Sequence, residues 1–95
     1  MRLYEDERKA LDNILADIND EVYLFGSRVD DNKKGGDIDI LIFSTENVYT
    51  LSQRINTAFQ MQCDEKIDVI VFNKDNLTKE QQAFLNTIDN KIRLK

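Results

Sequence analysis

Histidine, proline and tryptophan are absent from this 95-residue sequence, and cysteine occurs once, as Cys63. Without histidine there is no Ser-His-Asp or Cys-His catalysis and no imidazole ligand for zinc; a single cysteine excludes both an intramolecular disulfide and a thiolate cluster. A reactive site must then be built from carboxylates, hydroxyls, lysine or arginine. Cationic charge is also short: 13 Lys and Arg stand against 18 Asp and Glu, a formal net charge of −5. Affinity for nucleic-acid backbone comes mainly from Lys and Arg displacing counterions, so no direct nucleic-acid partner is expected, and a metal or a basic partner suits the chain better. No apolar run approaches the ~18 residues that span a bilayer, and MRLYEDERKA turns charged at once instead of opening a signal peptide. The expectation is a cytoplasmic protein without a membrane partner, in which Cys63 is a part-buried, unreactive residue.

What is present fits one domain over residues 1–95, since 41% hydrophobic residues can fill a single modest core. Tyr4, Leu11, Ile14, Leu15 and Ile18 recur at helical spacing and predict an amphipathic helix over 4–18. Val22-Tyr23-Leu24-Phe25 is a short β-prone run that stops at Gly26. Residues 30–36, DDNKKGG, read as a polar loop, and 37–43 and 66–72 as two further strands. Between these strands, Val48, Leu51, Ile55 and Phe59 mark a helix over 47–62. Thr78 and Gln81 form a capping box that opens a last helix through about residue 90, with Phe84, Leu85 and Ile88 inward; the closing IRLK is too short to assign. Tyr49, Phe72 and Phe84 also stand at core spacings. The fold class is α/β (α+β), a small mixed sheet flanked by helices.

The order strand 37–43, helix 47–62, strand 66–72 is a βαβ unit, whose strands run parallel and start at one edge of the sheet. If strand 22–25 is antiparallel to the second strand, its end at Gly26 lies at that edge too, and Gly26, Asp37 and Asp68 converge there. Alternation puts Asp37 and Asp39 on one face of their strand and Ile38, Ile40 and Ile42 on the other; Asp68 likewise stands opposite Ile67, Val69 and Val71. Carboxylates inside apolar β runs are costly unless paired or coordinated, and within these strands the one cation is Lys66. A divalent cation resolves the repulsion, and hard oxygen ligands select Mg²⁺ or Mn²⁺. Alone, an Asp-x-Asp is an ordinary strand start. The coincidence is what points to chemistry, because Gly26-Ser27-Arg28 adds a close backbone approach, a hydroxyl and a guanidinium suited to phosphate, and a helical turn beginning at Ser27 would add free N–H groups.

The segment LFGSRVDDNKKGGDIDILIF followed by KIDVIVF resembles the DNA polymerase β-type nucleotidyltransferase superfamily, specifically its small stand-alone MNT-type (minimal nucleotidyltransferase) members, over essentially the whole chain. The resemblance implies the polymerase-β-like nucleotidyltransferase fold, ATP as substrate, Mg²⁺ or Mn²⁺ as cofactor, and transfer of AMP with pyrophosphate leaving. By that resemblance Gly26 and Ser27 hold the β- and γ-phosphates, Arg28 adds a triphosphate contact, and Asp37 and Asp39 bind both metal ions. Asp68 is a ligand of the catalytic metal and helps to deprotonate the acceptor hydroxyl. The chain departs from the common pattern at Val29-Asp30-Asp31-Asn32, where many relatives carry small and basic residues; this acidity opposes triphosphate binding unless Lys33 and Lys34 offset it.

MNT-type relatives accompany a helical HEPN-type protein in toxin–antitoxin pairs, and modify a tyrosine of that ribonuclease with AMP. The resemblance therefore implies a protein adenylyltransferase acting as antitoxin, with a HEPN-type partner. Three assigned strands and three helices leave no room for an acceptor-binding domain, which suits an acceptor that is itself a protein. Two alternatives stand beside this reading: a non-catalytic antitoxin or nucleotide-binding regulatory subunit, and a small-molecule transferase of the aminoglycoside-modifying type.

Overall fold

A computed structural model describes residues 1–30, 36–88 and 90–95 of the chain. The stretch 31–35, which holds the Lys33-Lys34 pair and the Asp31-Asn32 half of the departure, lies outside the described residues. Four strands form one mixed sheet in the order β3-β2-β1-β4, with β1 spanning Glu21–Phe25, β2 Ile38–Phe43, β3 Ile67–Phe72 and β4 Ile92–Arg93. β1 and β2 are antiparallel, whereas β2 and β3 are parallel and joined by the helix α2, Val48–Cys63, as the βαβ reading requires. The other helices are α1, Glu5–Leu15, and α3, Lys79–Thr87.

Period-two alternation decides which face each strand residue serves. Val22 and Leu24 of β1, Ile38, Ile40 and Ile42 of β2, and Ile67 and Val71 of β3 are buried against α1 and α2. Leu51, Ile55 and Phe59, spaced by four, form the apolar stripe of α2 that meets them, and Leu11, Ile14 and Leu15 do the same for α1. Full burial of each such side chain stabilises the fold by roughly 1.5–3 kcal/mol, so this layer supplies most of the driving force. The opposite face has a smaller apolar centre around the fully buried Leu41. There Phe84 of α3 meets Phe25 and Phe72 edge-on, each with ring centroids 5.9 Å apart.

The helix starts follow local chemistry. Asn47 Oδ1 accepts the Thr50 N–H at 3.1 Å, and α2 stops where Asp64 takes a left-handed conformation with φ 51°. Thr78 and Gln81 form the expected capping box, both of its hydrogen bonds measuring 3.1 Å. Several expectations need correction. Tyr4 is not on the buried stripe but 66% exposed, because the chain is still extended there and its ring lies over the Arg28 guanidinium, 5.8 Å away. Val48 and Tyr49, in the first turn of α2, are exposed, Tyr49 by 83%. α3 ends at Thr87 rather than near residue 90, and Phe84, Leu85 and Ile88 are only half-buried. The reason is that the chain beyond it turns back to pair with β1: Ile92 sits opposite Leu24 and Arg93 opposite Tyr23. This short β4 covers an edge that would otherwise expose unpaired backbone.

Among the described residues, no helix is long and apolar enough to cross a membrane. Cys63 is half-buried, its thiol donates to Asp6 Oδ2 at 3.6 Å, and burial, with Asp6 beside it, pushes the thiol up to about 11. Such a thiol is overwhelmingly protonated at neutral pH and a poor nucleophile.

Candidate functional site

Register builds the site. Phe25 is the cross-strand neighbour of Asp39, and Asp39 is the neighbour of Asp68, so the two aspartates and the end of β1 form a row across three strands. The Asp39 carboxyl, half-buried, is pushed up to about 6 by burial first and then by the charge of Asp68, a hydrogen bond with Asp68, and the charge of Asp37. A hydrogen bond between two carboxyl groups needs a proton on one of them. Asp39 can supply it below about 6, whereas above that its charge adds to the repulsion within the row.

Asp37 sits one residue before β2 rather than inside it, two positions before Asp39 and on the same face. It lines a cavity of about 250 Å³ together with Arg28, Gly36, Ile38, Glu65 and Lys66. The fold thus brings Asp39 and Asp68 into contact and Asp37 within electrostatic reach. Among the described residues, however, no three acidic or thiol side chains are gathered into a ready-made metal cage. The donor set, all carboxylate oxygen, fits the chemistry of a hard divalent cation such as Mg²⁺ or Mn²⁺.

After Phe25 the chain makes a four-residue 3₁₀ turn, Gly26–Val29, which starts one residue earlier than a turn beginning at Ser27. Gly26 has φ +78°, and a Cβ there would run into the Asp39 carboxylate. Gly36, with φ +86°, packs its Cα against the Ser27 side chain in the same way. Both glycines are therefore required by close approach as well as by conformation. Gly26→Ala is expected to cost about 1–3 kcal/mol from the left-handed backbone alone and to displace Asp39. Urea unfolding measures the first effect, and carbon NMR titration of the Asp39 carboxyl the second; an unchanged midpoint together with an unchanged titration would contradict this expectation.

Arg28, which the resemblance makes a triphosphate contact, spends most of its hydrogen-bonding capacity inside the protein. The residue is only 6% exposed, and its guanidinium forks onto the fully buried Glu7, with Nη1 to Oε1 at 2.8 Å and Nη2 to Oε2 at 3.0 Å. Nε donates to the Gly36 carbonyl at 3.0 Å and Nη1 also to the Arg2 carbonyl at 3.1 Å. Four of its five N–H groups are thereby engaged inside the protein. The physical reason is the buried carboxylate of α1, which would be uncompensated without it.

Glu7 is the residue that sequence reasoning missed. It accepts the Tyr4 N–H at 2.8 Å and fixes the first turn of α1. Burial pushes its carboxyl up, but hydrogen bonds from Arg28, Glu65 and the Tyr4 backbone outweigh burial and hold it below the ordinary range. Glu65 is correspondingly raised, first by its hydrogen bond to Glu7 and then by burial. A signal did exist: Glu7, Leu11, Ile14 and Ile18 are spaced four, three and four apart, so an acidic residue occupies the apolar stripe.

A family model described as polymerase beta, nucleotidyltransferase, matches residues 11–89, well over half of the chain. No curated protein is similar enough in sequence to register as a match.

Proposed function

The chain belongs to the polymerase beta nucleotidyltransferase family, and from that premise we propose that it transfers AMP from ATP to a protein hydroxyl, a tyrosine of a HEPN-type helical toxin, and so acts as that toxin's antitoxin. The observation that carries the transferase reading is the Asp39–Asp68 carboxyl pair in register beside the Gly26-Ser27 turn. The protein acceptor and the antitoxin role rest on the resemblance of LFGSR and its aspartates to MNT-type proteins.

In this reading Gly26 and Ser27 hold the triphosphate tail, the glycine by letting it approach the backbone and the serine by its hydroxyl. Asp37, Asp39 and Asp68 would hold Mg²⁺ or Mn²⁺, which when bound neutralises the triphosphate and the departing pyrophosphate. Asp68 takes the proton from the acceptor hydroxyl. The acceptor oxygen then bonds to the α-phosphorus while the bond from that phosphorus to the pyrophosphate bridging oxygen breaks. The strand positions of Asp39 and Asp68 hold both groups on rigid elements, so little reorganisation is needed during the reaction.

Two measurements test this reading. Millimolar Mg²⁺ is expected to raise the melting temperature by relieving the carboxylate row, and Mg²⁺ with ATP to raise it further, because a ligand at 100 times its Kd adds about 2.7 kcal/mol to the native state. Incubation with ATP, Mg²⁺ and the helical protein encoded by a neighbouring reading frame should add the mass of AMP to a tyrosine of that protein. Binding of ATP with no transfer to any acceptor would favour the regulatory alternative, and neither binding nor transfer would sink the proposal.

A further inference from the structure

We propose that Glu7 and Arg28 are positioning residues for the nucleotide site, locking the Gly26–Val29 turn to the entry of β2 so that Ser27 and Asp37 keep one fixed relation. The inference rests on the nucleotidyltransferase reading and adds to it a part of the machinery that lies on α1, outside the motif.

One guanidinium connects the parts. Arg28 belongs to the turn, and its guanidinium reaches forward to the carbonyl of Gly36, the residue directly before Asp37. Gly36 in turn packs against the Ser27 side chain with no room for a Cβ. Ser27 and Asp37 are thus braced from both sides of the 31–35 stretch by one planar group. That group cannot choose its own orientation, because Glu7 grips it by two parallel hydrogen bonds from a fully buried position on α1. A bidentate fork fixes a plane, which a point charge does not. The backbone closes the same bracket: Arg2 N–H donates to the Arg28 carbonyl at 2.7 Å, and the Arg2 guanidinium reaches the Ser27 carbonyl at 3.3 Å.

Positioning and simple electrostatics predict opposite signs, and this makes the inference testable. Glu7→Gln removes a negative charge near a site for an anionic ligand, so a purely electrostatic effect would tighten Mg·ATP binding. Glu7→Asp keeps the charge and shortens the reach, so electrostatics predicts no change. If the fork sets the site, both variants weaken binding, and so does Arg28→Lys, which keeps its charge but cannot fork. Titration calorimetry with Mg·ATP, at a temperature where each variant retains its cooperative fold, is expected to show about tenfold weaker binding for Glu7→Asp and Arg28→Lys. Ile14→Val, a core truncation on the same helix, should lower the melting temperature without changing affinity. Glu7→Asp within twofold of the unaltered protein, or Glu7→Gln binding more tightly, would overturn the positioning role while leaving the transferase reading intact. Should Glu7→Gln not fold, Glu7→Asp and Arg28→Lys decide the matter. An unaltered protein that binds no Mg·ATP would instead overturn the transferase reading, and this inference with it.

Discussion

Asp39→Asn should yield a ligand-free protein that is more stable at pH 7 and has lost AMP transfer. The Asp39 carboxyl is pushed up to about 6, by burial and then by Asp68 and Asp37, against 3.8 for an ordinary aspartate. The native state therefore binds more protons than the unfolded state between those values, and stability falls as pH rises through that window. At pH 7 the full penalty is present; below about pH 4 it has vanished. A tenfold change in proton affinity is worth about 1.4 kcal/mol, so a rise from 3.8 to about 6 amounts to about 3 kcal/mol, and discounting by about two thirds for the half-exposed, solvent-screened position leaves about 1 kcal/mol. That is roughly 4–8 °C in Tm for a domain of this size. The asparagine variant should gain this at pH 7 and nothing at pH 4, by thermal melts at the two values. Transfer should drop on the order of 10²–10³-fold, as when a single electrostatic stabiliser is removed from a site. A destabilised variant at pH 7, or one that still transfers AMP, would show that this carboxylate is not held under charge strain for catalysis.

The pH of maximum stability moves as a consequence. Burial alone would raise the Glu7 carboxyl, yet hydrogen bonds from Arg28, Glu65 and Tyr4 hold it below the ordinary 4.5. Its contribution is present above that value and is lost as pH falls through the lowered one. Between about pH 4 and 6 the Asp39 strain is easing while Glu7 remains charged. The ligand-free protein should accordingly be most stable in mild acid, and saturating Mg²⁺ should move that optimum toward neutrality.

Glu7→Ala is expected to be the most damaging single truncation outside the apolar core. It leaves the guanidinium of a residue only 6% exposed with its two carboxylate contacts gone. Breaking a buried pair from one side costs about 3–5 kcal/mol, because the surviving charge loses its counter-charge and keeps only the neutral carbonyls of Gly36 and Arg2. Against a typical total of about 5–15 kcal/mol, that is a large share of the stability of a small domain. The double replacement Glu7→Met with Arg28→Met removes both charges and should recover a substantial part of the loss. Denaturant titration of the three proteins provides the check: a loss below about 1 kcal/mol for Glu7→Ala, or a double variant worse than the single one, would show that the pair is not held at the expense of desolvation.

Legibility followed the range of the forces involved. The runs IDILIF and KIDVIVF announce strands because alternation and β-branching act over neighbouring residues, and the helix between them makes their parallel pairing nearly obligatory. The row that puts Asp39 beside Asp68 follows from that pairing. Thr78 and Gln81 were readable as a cap for the same local reason. The fork of Arg28 onto Glu7 was not, because its partner is a buried acid twenty-one residues away. β4 was illegible because two residues carry no periodicity; the open edge of β1, not propensity, makes Ile92–Arg93 a strand. The end of α3 moved for that reason as well.

The bracket around β1 and its turn also bears on the order of folding. The β1–β2 hairpin and the β2-α2-β3 crossover join segments near one another in sequence. One contact that finishes β1 spans far more of the chain: Val22 N–H donates to the Lys95 carbonyl at 3.0 Å. Closing such long loops is entropically costly and is repaid only once the sheet exists to receive them. The three longer strands can therefore pair around Asp39 and Asp68 before β4 closes the edge of β1. The β1–β4 edge should be the last part of the sheet to gain protection from hydrogen exchange during refolding, and the first to lose it as β4 frays.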